Sequence, residues 1–135
     1  MSFPTGAITA VSEVALWVDD LPSAVDFYTT KLGFEVESLD PERNAFLKSG
    51  GFLLVLFSPK DPGTALANEY LARTGGPKGG LYHIAFKVDP ERLDSLSSEL
   101  RSDGLKVKGP VEFPTGRRSY FFEDPDEHYI ELTDK

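Results

Sequence analysis

The sequence predicts an α+β protein made of two tandem βαβββ modules, each packing one helix on one face of a curved mixed sheet around a cleft. Three observations carry this. Two stretches, Glu13 to Val18 and His83 to Val88, share one alternating pattern. Each leads through an acidic residue into an amphipathic segment that stops at a glycine, Gly33 or Gly104. The spacing between matching pieces is nearly constant. Glu13 and His83 are 70 positions apart, Gly33-Phe34 and Gly104-Leu105 are 71 apart, and Leu53 to Leu56 matches Tyr129 to Leu132 at 76.

Each element follows in order. Met1 to Ala10 reads as a lead-in with no basic flank and no long apolar run, so no signal peptide is expected and a cytoplasmic location is. Strand one spans about Val11 to Val18, with Val14, Leu16 and Val18 on its apolar face and Glu13 and Trp17 on the other. Asp19 or Asp20 caps a helix that has Pro22 in its first turn and Leu21, Val25, Tyr28 and Leu32 as its buried stripe. Strands Phe34 to Leu39, Asn44 to Lys48 and Phe52 to Phe57 follow, with turns at Pro41 and Gly50-Gly51. The glycine- and proline-rich stretch from Ser58 to Gly80 reads as a linker and candidate lid, with a short helix at about Ala65 to Arg73.

The pattern then restarts. In Leu81 to Val88, Tyr82, Ile84, Phe86 and Val88 face a helix, and His83, Ala85 and Lys87 face away. Asp89-Pro90 opens a helix carrying Leu93, Leu96 and Leu100. Strand Leu105 to Lys108, a loop from Gly109 to Arg118, strand Ser119 to Glu123, the turn Asp124 to Glu127 and strand His128 to Thr133 complete the module. The chain is therefore expected to be one domain over 1–135, with module 1 at about 8–58, a linker at about 59–80 and module 2 at about 81–135.

Composition narrows the function. The 135 residues carry a net charge of −8, which argues against a nucleic-acid partner. The longest apolar run, Phe52 to Phe57, is too short to span a bilayer, so no membrane partner is expected. There are no cysteines, which removes disulfides and thiolate metal sites. No Ser-His-Asp arrangement, phosphate loop or dinucleotide fingerprint is present.

What remains is a constellation. Glu131 shares its strand face with Tyr129 and Thr133, opposite Ile130 and Leu132, and so projects to the same side as His83. Glu13 projects likewise from the first module. One imidazole and two carboxylates suit a divalent cation at roughly 2.0–2.2 Å, with positions left open for water or substrate. His128 points to the other face and is excluded. Arg117-Arg118 is the compact basic group near the expected cleft and is a candidate clamp for a substrate carboxylate or phosphate. Trp17 can stack on a flat ligand, and Tyr120 is a further candidate aromatic contact.

The chain resembles the vicinal oxygen chelate superfamily of glyoxalase I, bleomycin-resistance proteins, extradiol dioxygenases, fosfomycin-resistance enzymes and methylmalonyl-CoA epimerase. The resemblance lies in Val14 to Leu21, Ala24 to Tyr28, Lys31 to Phe34, Leu81 to Phe86 and, most specifically, Tyr120 to Leu132 with its Asp124-Pro125-Asp126 turn. It implies a divalent metal (Zn, Ni, Mn or Fe) held by Glu13, His83 and Glu131, and a small-molecule substrate. It also implies a homodimer in which modules can pair across copies. Three departures stand out. Glu13 occupies a place where His or Gln is common, Val55 stands where a fourth ligand would match Glu131, and Glu127 replaces a frequent turn glycine. The carboxylate-rich donor set favours redox-neutral isomerase, lyase, epimerase or addition chemistry on a substrate with vicinal oxygens, with Glu131 or Glu13 as the base. A metal-free drug-binding protein of bleomycin-resistance type is the alternative, and an extradiol-type dioxygenase the second.

Overall fold

The alternation beginning at Glu13 produces strand β1, Glu13–Trp17, with Leu16 buried and Glu13 and Ala15 exposed. The structure is a computed structural model in which residues 4–7, 10–58 and 83–135 are described. It divides into two compact units, Met1–Pro77 and Lys78–Lys135. The expected linker at 59–80, its short helix, and Leu81 and Tyr82 lie outside the described residues.

In the first unit Asp20 caps helix α1, Leu21–Asp26, by accepting the Ser23 N–H at 3.2 Å, and Pro22 sits where no N–H is needed. The chain then widens into a π-helical segment, Phe27–Lys31. The Thr29 and Thr30 hydroxyls donate to the carbonyls of Val25 and Asp26 at 2.7 and 2.6 Å, an alternative to the regular ladder. The buried stripe is Leu21, Ala24, Phe27 and Tyr28, whereas the expected Val25 and Leu32 are only half-buried. Gly33, at φ 72°, ends the segment.

Strands β2 (Glu35–Asp40), β3 (Asn44–Ser49) and β4 (Phe52–Phe57) complete a sheet of order β1-β4-β3-β2. β1 runs parallel to β4, and the other pairs are antiparallel. Central β4 buries Leu54, Val55 and Leu56 completely, while edge strand β2 is exposed along its whole length.

The second unit repeats the connectivity with β5 (Ile84–Lys87), helix α2 (Leu93–Ser102), β6 (Lys108–Glu112), β7 (Arg118–Glu123) and β8 (Tyr129–Thr133). The order is β5-β8-β7-β6, again with the first and last strands parallel. Pairing confirms the equivalences drawn from spacing. Ala15 pairs with Val55, and Ala85 pairs with Glu131, so Val55 and Glu131 are counterparts.

One strand differs from expectation. The strand expected at Leu105 to Lys108 begins only at Lys108 and runs through Glu112, into the expected loop. Val111 pairs with Ser119 and Glu112 with Arg118, with a register shift between Lys108 and Val111. Gly109-Pro110 therefore marks an irregularity on an edge strand, where a missing N–H is tolerated, and not a turn. The turn comes later, where Phe113 N–H donates to Arg117 O at 2.8 Å. Among the described residues, no helix is long and apolar enough to cross a membrane.

Candidate functional site

Strand alternation divides the second sheet into two faces. α2 buries Leu93 and Leu100. Its Asp94 reaches Tyr120, so Tyr120, Phe122, Ile130 and Leu132 form the helix-side face. The far face carries Ser119, Phe121 and Glu123 from β7 and Tyr129, Glu131 and Thr133 from β8. Phe121 stands directly opposite Glu131.

Glu131 is the centre of that face. It is 4% exposed, and both its oxygens are occupied. Oε1 lies 3.0 Å from His83 Nε2. Oε2 lies 3.1 Å from an Arg117 guanidinium nitrogen and accepts the Ser119 hydroxyl at 2.5 Å. A buried carboxylate needs such partners, because desolvation without compensation is costly. Arg117 keeps one donor unused: its Nε is buried and has no hydrogen-bond acceptor among the described residues.

The same pair fits a divalent cation. Two donors at roughly 2.1 Å from one ion and at a right angle to each other are about 3.0 Å apart, which is the observed Nε2–Oε1 separation. Imidazole nitrogen with carboxylate oxygen is also an acceptable donor set for the first-row ions expected. Two donors are present here. Among the described residues no cluster of three His, Asp or Glu side chains forms.

Not every expected site residue shares this face. The Arg118 guanidinium holds Asp94 with two nitrogens at 3.0 and 3.3 Å, and the Tyr120 hydroxyl donates to Asp94 at 2.5 Å. Both are turned to the helix side. The Arg118 hydrogen bond, and then that of Tyr120, holds the Asp94 carboxyl below its ordinary range, while the bond to Asp94 pushes the Tyr120 phenol up. Of the expected basic pair, Arg117 alone reaches Glu131. In the first unit Glu13 is exposed on the face of β1 away from Leu16, with no ion pair among the described residues. Trp17 is half-buried on that same face, its ring 6.2 Å from Phe57.

His128 lies off the Glu131 face, as expected, and has a structural partner. Its Nδ1 is 2.7 Å from Asp124 Oδ2, and Asp124 Oδ1 accepts the backbone N–H groups of Asp126 and His128 at 2.9 and 2.8 Å. The bond to Asp124 raises the His128 pKa, against a smaller opposing effect of burial.

Ser119 and Phe121 were missed as site residues. Their signal was available, since Ser119 and Phe121 alternate along β7 and share the face of Glu131, and Arg117 immediately precedes the strand in the same phase. Phe121 stacks on Tyr129 at 5.4 Å and 16°, and the His83 ring meets it edge-on at 6.4 Å.

Comparison with known proteins gives the family of the chain. Residues 10–132 match the profile of the Glyoxalase/Bleomycin resistance protein/Dioxygenase superfamily. The chain is 31% identical to the uncharacterized protein YwkD of Bacillus subtilis strain 168, covering 93% of this chain and 96% of YwkD. It is 27% identical to the metallothiol transferase FosB of Staphylococcus epidermidis, over 93% of this chain and 81% of FosB. Among solved structures, lactoylglutathione lyase from Agrobacterium tumefaciens superposes with a TM-score of 0.78 at 28% identity, covering 94% of both chains.

Proposed function

Since the chain belongs to the Glyoxalase/Bleomycin resistance protein/Dioxygenase superfamily, we propose that it is a divalent-metal-dependent enzyme acting on a small molecule with vicinal oxygens. The reaction class is redox-neutral isomerase, lyase, epimerase or addition chemistry. The observation that carries this reading is the His83 Nε2–Glu131 Oε1 separation of 3.0 Å on the face away from α2. A divalent ion held there supplies Lewis-acid polarisation of a substrate oxygen.

The protein's own groups divide the remaining work. Glu131 is fixed by Arg117 and Ser119, so it is a ligand and a poor proton shuttle. Glu13, exposed and without an ion pair among the described residues, is the better candidate base and the proposed third donor. Glu13 is proposed to complete the donor set in a homodimer whose modules can pair across copies, so that the first module of one copy meets the second module of the other. Arg117, whose side chain is 35% exposed beside Glu131, is the proposed contact for an anionic or carbonyl oxygen of the substrate.

The test is metal content and calorimetric metal binding of untagged protein. Near-stoichiometric uptake by the parent, lost in His83→Ala with the circular dichroism spectrum unchanged, supports the site. Tight metal retained by His83→Ala sinks it. Glu13→Ala is expected to weaken metal binding and shift sedimentation toward the monomer in the presence of metal. Bound iron would move the reading to dioxygenase chemistry. No uptake even in excess ion would leave a ligand-binding protein, for which the stacked Phe121–Tyr129 pair is the favouring observation.

A further inference from the structure

Beside the His83–Glu131 pair, the second unit contains a cavity of about 450 Å³, within the range of small-molecule pockets. One wall is aromatic. Phe121 and Tyr129 are stacked on each other, 16° from parallel with ring centroids 5.4 Å apart, and both line the cavity. Another wall carries Lys106 and Lys108, both exposed and without an ion pair among the described residues. Two carboxyl groups also line the cavity. Asp124 is spent inside the fold on two backbone N–H groups and His128. Glu123 is exposed and unpaired among the described residues, one carboxylate against two ammonium groups.

We propose that this cavity is a binding subsite for a planar ring that carries an acidic group and a hydroxyl, in the manner of a hydroxylated aromatic acid. The ring packs against the Phe121–Tyr129 stack, where aromatic contact adds to area burial. The acid meets Lys106 and Lys108, and the hydroxyl donates to Glu123. In a chain of net charge −8, unspecific attraction of an anion is disfavoured, so the affinity must come from these two lysines locally. The edge of His83 on Phe121 joins the wall to the metal pair, which makes the cavity the seat for the body of the substrate. Only this catalytic meaning rests on the metal-site reading; binding itself does not.

The test uses the full-length, metal-depleted chain and the probe 4-hydroxybenzoate. Binding is followed by calorimetry and by shifts of aromatic side-chain resonances. A probe of this size should saturate with Kd on the order of 1 mM. The neutral 4-hydroxybenzyl alcohol should bind about fivefold more weakly, and the non-planar cyclohexanecarboxylate likewise. The double variant Lys106→Ala/Lys108→Ala should erase the acid's advantage over the alcohol. Tyr129→Leu should erase the ring's advantage over the cyclohexane acid.

The subsite is overturned by absence of saturation at about tenfold above that concentration. It is equally overturned if the alcohol or the cyclohexane acid matches the probe, or if both variants bind it as the parent does. Metal uptake is measured on the same samples. Probe binding without metal uptake removes the metal chemistry and keeps the subsite, and metal uptake without probe binding does the reverse.

Discussion

Glu131 is a buried carboxylate held by three neighbours, of which Arg117 is the permanent cation, and that determines what can be changed around it. Arg117→Leu leaves Glu131 with His83 and Ser119 alone. The loss should be about 2 kcal/mol, below the full cost of orphaning a buried charge, because the Arg117 side chain is itself 35% exposed. Arg118→Leu breaks a pair with Asp94 whose side chain is 61% exposed, and should cost less. Urea unfolding of the two variants gives the comparison; equal losses would show that Glu131 does not depend on Arg117. His128 is likewise held by a fixed partner, Asp124. Its raised pKa means that the folded protein holds the proton more tightly than the unfolded chain does. Its contribution is therefore full below the ordinary histidine value and is lost as pH rises through the raised one. His128→Gln should flatten the stability-against-pH curve in that window, and a parent curve already flat there would contradict the pairing.

At the scale of elements, local chemistry overrode regular periodicity in two places. The helix after Asp20 was legible in its cap, its proline and its closing Gly33. Its buried face was legible at Leu21 and Tyr28 but not at Ala24 and Phe27, and the period changes again at the widened turn Phe27–Lys31, where two adjacent threonine hydroxyls donate to the carbonyls of Val25 and Asp26. The β6 boundary was obscured by Gly109-Pro110, which reads as the start of a loop unless the register of the neighbouring strand is known. Gly109 is also the point where a side chain has no room: an added Cβ would lie 2.8 Å from Ser119 O. The turn between β7 and β8 holds a strained residue instead of a glycine. Glu127 has φ 66°, in the left-handed region. Glu127→Gly should raise stability by about 0.5–1 kcal/mol, read as a higher urea midpoint at unchanged slope. A lower midpoint would mean that the entropy gained by the unfolded chain outweighs the relieved strain.

Across the whole molecule, the duplicated plan was readable because both copies keep the same alternation and the same glycine stops, and constant spacing is hard to mimic by chance. The candidate site was readable in its main residues, His83, Glu131 and Arg117, since strand parity fixes which side chains share a face. Parity also explains Arg118 and Tyr120. Arg118 follows Arg117 by one position, and Tyr120 follows Ser119 by one, so each must face α2. Ionic reach in sequence was a poorer guide than a count of odd and even positions. The partners of Glu131 needed the register between strands, which only pairing supplies.

Val55 and Glu131 are one of the matched pairs at which the two copies have diverged. The first holds a fully buried aliphatic residue where the second holds a carboxylate with its cation and hydroxyl. An aliphatic core tolerates volume-conserving exchange, whereas a neutralised charge cluster tolerates almost none. Mutational robustness should therefore be lopsided: a library selected only for soluble expression should accept far more variety at Val55 and its strand neighbours than at Glu131, Arg117 and Ser119.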